Sequence, residues 1–288
     1  MTNIITHRGI DAEKRHLYSE SSREAFEFFL KNDFGIEFDI QITQDNVPVI
    51  SHDASLTRIA GKPYVPISQM NTTAFLNTPL TNGHALSLEE LVELINRFTS
   101  FPDRTYHALH LKHYNQTKEE IDIILNTLAS SLDIPLLIFD AKPDTARYIR
   151  SKKLNLVLGA SVAHPFDIKR YNNLVGGTLL SLKELLDHKD IYDWAWLDEW
   201  DRIDADGAVK SLYTEETFAL LRNKSFKITI VSPELHATSP YLLGGESHPD
   251  ATSQHLLETR LVEILGMKPD AICTDYPVKV SLLSQHQI

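Results

Sequence analysis

GIEFDIQITQDNVPVISHD, residues 35–53, is the stretch that decides the fold. Its first half alternates apolar and polar residues, and this period of two is typical of a β-strand. The alternation places Glu37 and Asp39 on one face of the strand, opposite the apolar side chains. A tight turn and a short returning strand follow and lead to His52. Two carboxylates and a nearby histidine form a candidate active-site edge.

Two acids on one strand also have a simpler interpretation, the solvated face of an antiparallel sheet. The rest of the chain favours the active-site interpretation, because strand patterns alternate with helix patterns along it. Strand candidates lie at 2–6, 35–43, 105–112, 135–139, 155–159, 194–197, 228–231 and 270–273. This repeat predicts a parallel (β/α)₈ barrel of the TIM type, with its site at the carboxyl ends of the strands. A doubly wound sheet is the alternative, but HRGIDAEKRH is a poor version of its glycine-rich loop.

Length fits one large α/β barrel or two smaller domains, and the composition is that of a soluble globular protein. The 288 residues are 42% hydrophobic and 23% charged, and we expect a single domain over 1–288 with a loop-rich insertion around 54–86. The net charge of −11 argues against nucleic acid or an anionic membrane surface as the partner. The single cysteine, Cys273, excludes an intrachain disulfide framework.

The chain has no signal-like start and no apolar run of about 18 residues. We therefore expect a cytoplasmic protein with no integral membrane segment. Its expected partner is a small-molecule substrate, and no organic cofactor is expected.

Polar side chains gather at the predicted carboxyl ends of the strands. The first strand ends at His7-Arg8-Gly9, and the third presents His110 and Lys112 on one face. Later strands end at Asp140, Ser161, Asp198, Glu234 with His236, and Asp275. Asp198 and Glu234 are candidate site residues or, alternatively, helix caps and loop ion pairs. His236 is a candidate substrate contact, whereas Asp275 is interpreted as closing the barrel or capping the next segment.

Four motifs taken together resemble the glycerophosphodiester phosphodiesterase family, which has the TIM barrel of the phospholipase-C-like phosphodiesterases. They are His7-Arg8-Gly9, Glu20 before a helix with Ala25-Phe26, the stretch 35–53, and KPDAICTDYP at 268–277. The resemblance covers both ends and most of the first half of the chain. The middle of the chain departs from the family pattern, which indicates a divergent branch.

The resemblance implies roles for six residues. The catalytic histidines would be His7 and His52, two metal ligands Glu37 and Asp39, and the phosphate-binding cations Arg8 and Lys112. The third metal ligand of the family is usually a Glu two residues before the lysine, and here that position is His110.

A histidine at this position changes the expected metal chemistry, because Mg²⁺ and Ca²⁺ prefer oxygen ligands. His110 therefore indicates a softer cation such as Mn²⁺ or Zn²⁺, an oxygen set completed by Asp198 or Glu234, or a site without a permanent metal. We expect a divalent metal to be retained.

These residue types suit attack on a phosphodiester. Cations stabilise the charge that develops on the phosphoryl oxygens, and two histidines exchange protons near neutral pH. The resemblance implies hydrolysis of a glycerophosphodiester or a related sugar or alcohol phosphodiester, in glycerol or lipid metabolism. Two alternatives stay open. One is a lyase that releases a cyclic phosphate, and the other is a barrel that binds a phosphorylated ligand without catalysis.

Overall fold

The computed structural model of the protein describes residues 2–98, 105–129, 134–152, 156–200, 210–235 and 248–285. Its strands are β1 (Asn3–His7), β2 (Gly35–Ile42), β3 (Pro48–Ile50), β4 (Pro79–Leu80), β5 (Gly83–His84), β6 (His107–His110), β7 (Leu136–Phe139), β8 (Val157–Ala163), β9 (Trp194–Asp198), β10 (Lys227–Val231) and β11 (Ala271–Thr274). Its α-helices are α1 (Arg23–Lys31), α2 (Thr57–Ala60), α3 (Thr72–Leu76), α4 (Leu88–Phe98), α5 (Lys118–Leu128), α6 (Pro143–Ser151), α7 (Pro165–Tyr171), α8 (Leu182–Asp187), α9 (Glu215–Asn223), α10 (Gln254–Gly266) and α11 (Pro277–Gln285).

Eight parallel strands close into a barrel within the described ranges. They follow the order β1, β2, β6, β7, β8, β9, β10 and β11, and β11 pairs back with β1. The register sets His7 opposite Glu37 on the next strand, and Asp39 opposite His110. The predicted (β/α)₈ TIM barrel is confirmed, and the doubly wound alternative is wrong.

The apolar side chains of the barrel strands fill two separate regions. One cluster packs the helices against the outside of the barrel and includes Ile36, Phe38 and Ile40 of β2. A second cluster includes Ile5 and Trp194 of other strands and fills the barrel interior. Because side chains alternate along a strand, the acids of β2 face this interior, and they are 2% and 0% exposed. The solvated-face interpretation of Glu37 and Asp39 therefore does not hold.

A hairpin brings the chain back to the mouth of the barrel after β2. β3 pairs antiparallel with β2, so that Ile50 lies opposite Ile40, and Ser51 N–H donates to the carbonyl of Asp39 at 3.1 Å. Asn46 makes the turn with a left-handed backbone (φ 62°), which asparagine tolerates better than most residues. The hairpin thereby delivers His52 beside the end of β2.

The segment after the hairpin forms a small layer on the rim of the barrel. It contains α2, α3, the β4–β5 hairpin and a 3₁₀ turn at Ile67–Gln69. Its own apolar cluster includes Leu56, Met70 and Phe75. Among the described residues, no helix is both long enough and apolar enough to cross a lipid bilayer.

Candidate active site

The turn after β1 brings the Arg8 backbone against the acids of β2. Arg8 and Gly9 both have left-handed backbones, with φ of 54° and 68°. A Cβ on Gly9 would lie 3.0 Å from Ala25 Cβ, so the turn and the close approach of α1 both require glycine. A non-glycine residue in this conformation costs of the order of 1–3 kcal/mol. The result is a buried Arg8 whose backbone N–H donates to Glu37 Oε2 at 3.2 Å.

His7 is held by a carboxylate from the opposite end of the chain. Its Nδ1 lies 2.9 Å from Asp275 Oδ1, and Arg15 Nη2 donates to the other oxygen, Oδ2, at 2.9 Å. A carboxylate accepts, so Nδ1 is the donor and Nε2 remains for a ligand. Asp275 was predicted only to close the barrel or cap a segment. Its contact with His7 adds an orienting role, which the sequence interpretation missed.

His52 has the same arrangement on the other side of the mouth. Its Nδ1 lies 2.7 Å from Asp53 Oδ1, and Arg58 Nε donates to Asp53 Oδ2 at 2.7 Å. Burial and the nearby ammonium of Lys112 lower the pKa of His52 to about 4, although Asp39 opposes the shift. Burial raises the pKa of Asp53, but the hydrogen bonds from His52 and Arg58 outweigh it and lower that pKa to about 2. At neutral pH, His52 is therefore a neutral base beside an ionised carboxylate.

The acids of β2 and the histidine of β6 form one compact group. Glu37, Asp39 and His110 each offer a ligand atom, and these atoms all lie within 4.8 Å of one another. Burial and repulsion from Asp39 raise the pKa of Glu37. Burial also disfavours ionised Asp39, but Lys112 and other cationic neighbours hold its pKa well below the usual range. Lys112 Nζ lies 2.7 Å from Asp39 Oδ1.

His110 lies between two carboxylates. Its Nδ1 is 2.8 Å from Asp39 Oδ1, and its Nε2 is 3.3 Å from Asp140 Oδ2. Burial and Lys112 disfavour the protonated ring, but the bonds to Asp140 and Asp39 prevail and raise its pKa. The ring also stacks on Phe139, with centroids 4.8 Å apart. The sequence did not connect Asp140 with His110, because they lie on different strands.

The donor set fits a divalent cation. Asp39 Oδ2 is buried without a hydrogen-bond partner in the described part of the chain, and Arg8 Nε is 3.4 Å away. Two carboxylates and one imidazole nitrogen suit Mn²⁺ or Zn²⁺ better than Mg²⁺ or Ca²⁺, which select oxygen. The described residues thus include a possible metal-binding group, as the sequence predicted.

The remaining predicted site residues have different surroundings. Asp198 ends β9 and lines the central cavity. Glu234 lies behind Asp275, where its Oε1 accepts hydrogen bonds from Ser232 Oγ, Thr274 Oγ1 and the Asp275 N–H. Glu234 is outside the compact Glu37–Asp39–His110 group. His236 lies outside the described residues.

A cavity of about 110 Å³ connects these side chains at the barrel mouth. Its polar wall includes His7, Arg8, Glu37, His52 and His110. Its apolar wall includes Phe139 and Trp196, whose rings stack with centroids 3.8 Å apart. A wider groove beyond His52 is lined by Lys112, His113 and Tyr114 among others. One small polar group, such as a phosphoryl group, would contact both histidines and Arg8 from this cavity.

Residues 7–133 match the model of the Glycerophosphoryl diester phosphodiesterase family. No curated protein matches the sequence.

Solved structures with the same fold were also found. A glycerophosphoryl diester phosphodiesterase from Parabacteroides distasonis ATCC 8503 has a TM-score of 0.66 at 17% identity, covering 100% of this chain and 87% of that one. A glycerophosphodiester phosphodiesterase from Thermotoga maritima has a TM-score of 0.61 at 17% identity, with 98% of each chain covered. A phosphodiesterase from Oleispira antarctica, in complex with the product sn-glycerol-3-phosphate, has a TM-score of 0.64 at 15% identity, with 99% and 97% covered.

At these identities the structures establish the fold. The family match over residues 7–133 and the shared barrel together confirm the resemblance to the glycerophosphoryl diester phosphodiesterase family.

Proposed function

We propose that the protein is a phosphoric diester hydrolase that acts on a glycerophosphodiester or a related small alcohol phosphodiester. One observation carries the proposal. Two histidines, each with Nδ1 bonded to a carboxylate, line the same cavity as Arg8. The family match over residues 7–133 supports the substrate class. The Oleispira structure, with its sn-glycerol-3-phosphate product, supports the glycerol part of that class.

The two histidines would share the proton transfers. His52, with its lowered pKa of about 4, is neutral at pH 7 and would take the proton from the attacking hydroxyl. His7 would give a proton to the leaving oxygen through Nε2, since Nδ1 is bonded to Asp275. The attacking hydroxyl belongs either to water or to the substrate's own alcohol. In the second case a cyclic phosphate forms first and is then opened by water.

Positive charge would stabilise the phosphoryl oxygens during attack. Arg8 presents a planar fork of donors, and Lys112 provides a point charge at the rim. A divalent cation held by Glu37, Asp39 and His110 would supply Lewis-acid stabilisation of the same oxygens. His236 would contact the substrate, and Asp198, which lines the cavity, would be a further candidate ligand of the cation.

Product analysis by phosphorus NMR tests the reaction. The purified chain, with Mn²⁺ or Zn²⁺ added, is incubated with glycerophosphodiesters and with bis-p-nitrophenyl phosphate. A phosphomonoester as the final product supports the hydrolase. A cyclic ester that persists would replace the proposal with the lyase. No turnover of any diester, together with binding of phosphate esters, would replace it with the binding barrel.

We also propose that residues 1–288 form one domain and that the protein acts in the cytoplasm, in glycerol or lipid metabolism. The helical layer formed by residues 54–86 packs on the barrel rim, where the Asn82 N–H donates to Ser19 Oγ at 2.9 Å. A single cooperative unfolding transition would support one domain. Fluorescence microscopy of a tagged chain would test its location.

A further inference from the structure

Arg58 joins two acids at the edge of the site. Its Nη1 and Nη2 donate to the two oxygens of Glu20 at 2.9 and 2.6 Å. Its Nε donates to Asp53 Oδ2 at 2.7 Å. Three N–H groups of one guanidinium are thus used on two carboxylates, and a paired fork of this kind is both strong and directional.

Each of the two acids contacts a different member of the candidate catalytic group. Asp53 Oδ1 is 2.7 Å from His52 Nδ1, and Glu20 Oε1 is 3.3 Å from Arg8 Nη1. Arg58 lies outside the cavity that holds His7 and Arg8, and it lines the wider groove beyond His52. Its hydrogen bonds to Asp53 and Glu20 connect it to His52 and to Arg8.

The backbone around Arg58 holds its side chain in place. Arg58 lies in the single-turn helix α2, two residues after Leu56, which is fully buried. The helix ends at Gly61, whose left-handed backbone (φ 68°) turns the chain away. The Arg58 side chain is 27% exposed, so most of it is enclosed between its partners. The insertion thus presents one guanidinium to the barrel at a defined angle.

We propose that Arg58 is a positioning residue for the phosphodiesterase reaction, which orients His52 through Asp53 and Arg8 through Glu20. This inference rests on the proposed function. Without Arg58, Asp53 can rotate away from His52, and Glu20 is left with Arg8 as its cationic partner. The proton acceptor and the phosphate-binding guanidinium would both lose their alignment. A lysine cannot replace this contact fully, since one ammonium does not form a planar fork to Glu20 and also reach Asp53.

Steady-state kinetics of Arg58→Ala, Arg58→Gln and Arg58→Lys test the proposal. We expect kcat of the Ala and Gln variants to fall about 100-fold, the size of effect that misplacement by an ångström can produce. KM should rise no more than about fivefold, because alignment matters most in the transition state. Arg58→Lys should recover part of kcat, and added guanidinium ion should raise kcat of the Ala variant.

Arg23→Ala is the matched control. Arg23 donates to Glu90 Oε1 at 2.5 Å and its side chain is 34% exposed, and it lines neither the cavity nor the groove that contains the two histidines. The control should retain kcat within about twofold. An Arg58→Ala kcat within threefold of the unmodified chain, or an equal loss in Arg23→Ala, would overturn the proposal. Circular dichroism confirms that each variant is folded, and Arg58→Gln, of similar size, covers the case in which Ala does not fold.

Nitrogen-15 NMR of the histidine rings separates this inference from the proposed function. The unmodified chain should hold His52 as the Nδ1–H tautomer, and Arg58→Gln should show a mixture of tautomers. If the unmodified chain cleaves no phosphodiester, the proposed function fails and the tautomer change still decides the role of Arg58. If the chain is active but neither kcat nor the tautomer changes in the Arg58 variants, only this inference fails.

Discussion

The two histidines of the site have the same local chemistry, but different parts of the molecule supply it. In the His7 arm, His7 is bonded to Asp275, and Arg15 holds the second oxygen of that carboxylate. In the His52 arm, His52, Asp53 and Arg58 repeat the pattern. The partners of the first arm are 268 residues apart, whereas those of the second are adjacent.

This difference in sequence separation shows which part of the fold holds each histidine in place. Asp275 is fully buried at the end of β11, and Glu234 holds its backbone from the neighbouring strand. The first arm is therefore as rigid as the closed barrel. Asp53 lies on the rim with its side chain 19% exposed, and it depends on Arg58 from the insertion. The second arm therefore depends on contacts from the insertion, whereas the first is held by strands of the barrel.

The largest effect is expected from removing the histidines themselves. His7→Ala and His52→Ala should each lower kcat about 10⁴-fold, since each removes one proton transfer. The measurement is initial rates on bis-p-nitrophenyl phosphate, with folding checked by circular dichroism. His84→Ala is a suitable control, because His84 is an exposed histidine paired with Glu24. A His52 variant with full activity on every cleaved diester would refute the proposed roles.

Substitutions of the two orienting carboxylates, Asp275 and Asp53, should have effects of different size in the two arms. Asp275→Asn should lower kcat about 10³-fold and Asp53→Asn about 10²-fold, because an amide favours the wrong histidine tautomer. Asp275→Ala should also cost about 3 kcal/mol of unfolding free energy, since it leaves buried groups without their partner, and Asp53→Ala should cost less. Kinetics and urea unfolding measure both quantities. Equal losses in the two arms would contradict the proposed difference in rigidity.

The next prediction concerns the metal preference of the Glu37–Asp39–His110 group, which belongs to neither arm. His110→Glu would complete a three-carboxylate set with Glu37 and Asp39, so its affinity should shift from Mn²⁺ or Zn²⁺ toward Mg²⁺ by about tenfold or more. Isothermal titration calorimetry on chelator-treated protein measures this without an activity assay. Asp45→Asn, which changes an exposed carboxylate bonded to Thr72, serves as the control and should leave metal affinity within about twofold. Unchanged selectivity in His110→Glu would remove His110 from the ligand set.

The smallest effect is expected on stability, when the pH is lowered from 7 to 4. Burial and Lys112 lower the pKa of His52 to about 4, and burial lowers that of His107 to about 4. Both values lie below the ordinary histidine pKa of 6.5. Between pH 4 and pH 6.5 the unfolded chain therefore binds more protons than the folded chain. Stability is therefore full above pH 6.5 and is lost as the pH falls toward 4.

Thermal unfolding between pH 7 and 4 measures this loss, which should lower Tm by several degrees. His107→Gln should reduce the slope, since its amide oxygen can still accept the Ile36 N–H that His107 Nδ1 accepts. In the unmodified chain, kcat/KM should rise with pH through about 4 as His52 loses its proton. A level Tm across this range would contradict the buried, neutral state of the two histidines.

The barrel and half of the site could be predicted from sequence because they depend on local patterns. The period-two alternation at 35–43 places Glu37 and Asp39 opposite the apolar face. The repeat of strand and helix predicts the barrel, and a barrel brings the strand ends to one mouth. His7, Arg8 and His52 became candidates from short motifs at strand ends, and their roles were predicted from the resemblance to the family.

Tertiary structure alone decided which partners the site residues have. The His7–Asp275 contact exists because β11 pairs with β1 and closes the barrel, a contact between the two ends of the chain. His110 contacts Asp140 because β6 and β7 are neighbours, and Arg58 reaches Glu20 because the insertion folds over the rim. Sequence periodicity reports which face a residue occupies. It does not report the distance between charged atoms on different elements, and that distance sets the pKa values, the metal ligands and the orientation of each histidine.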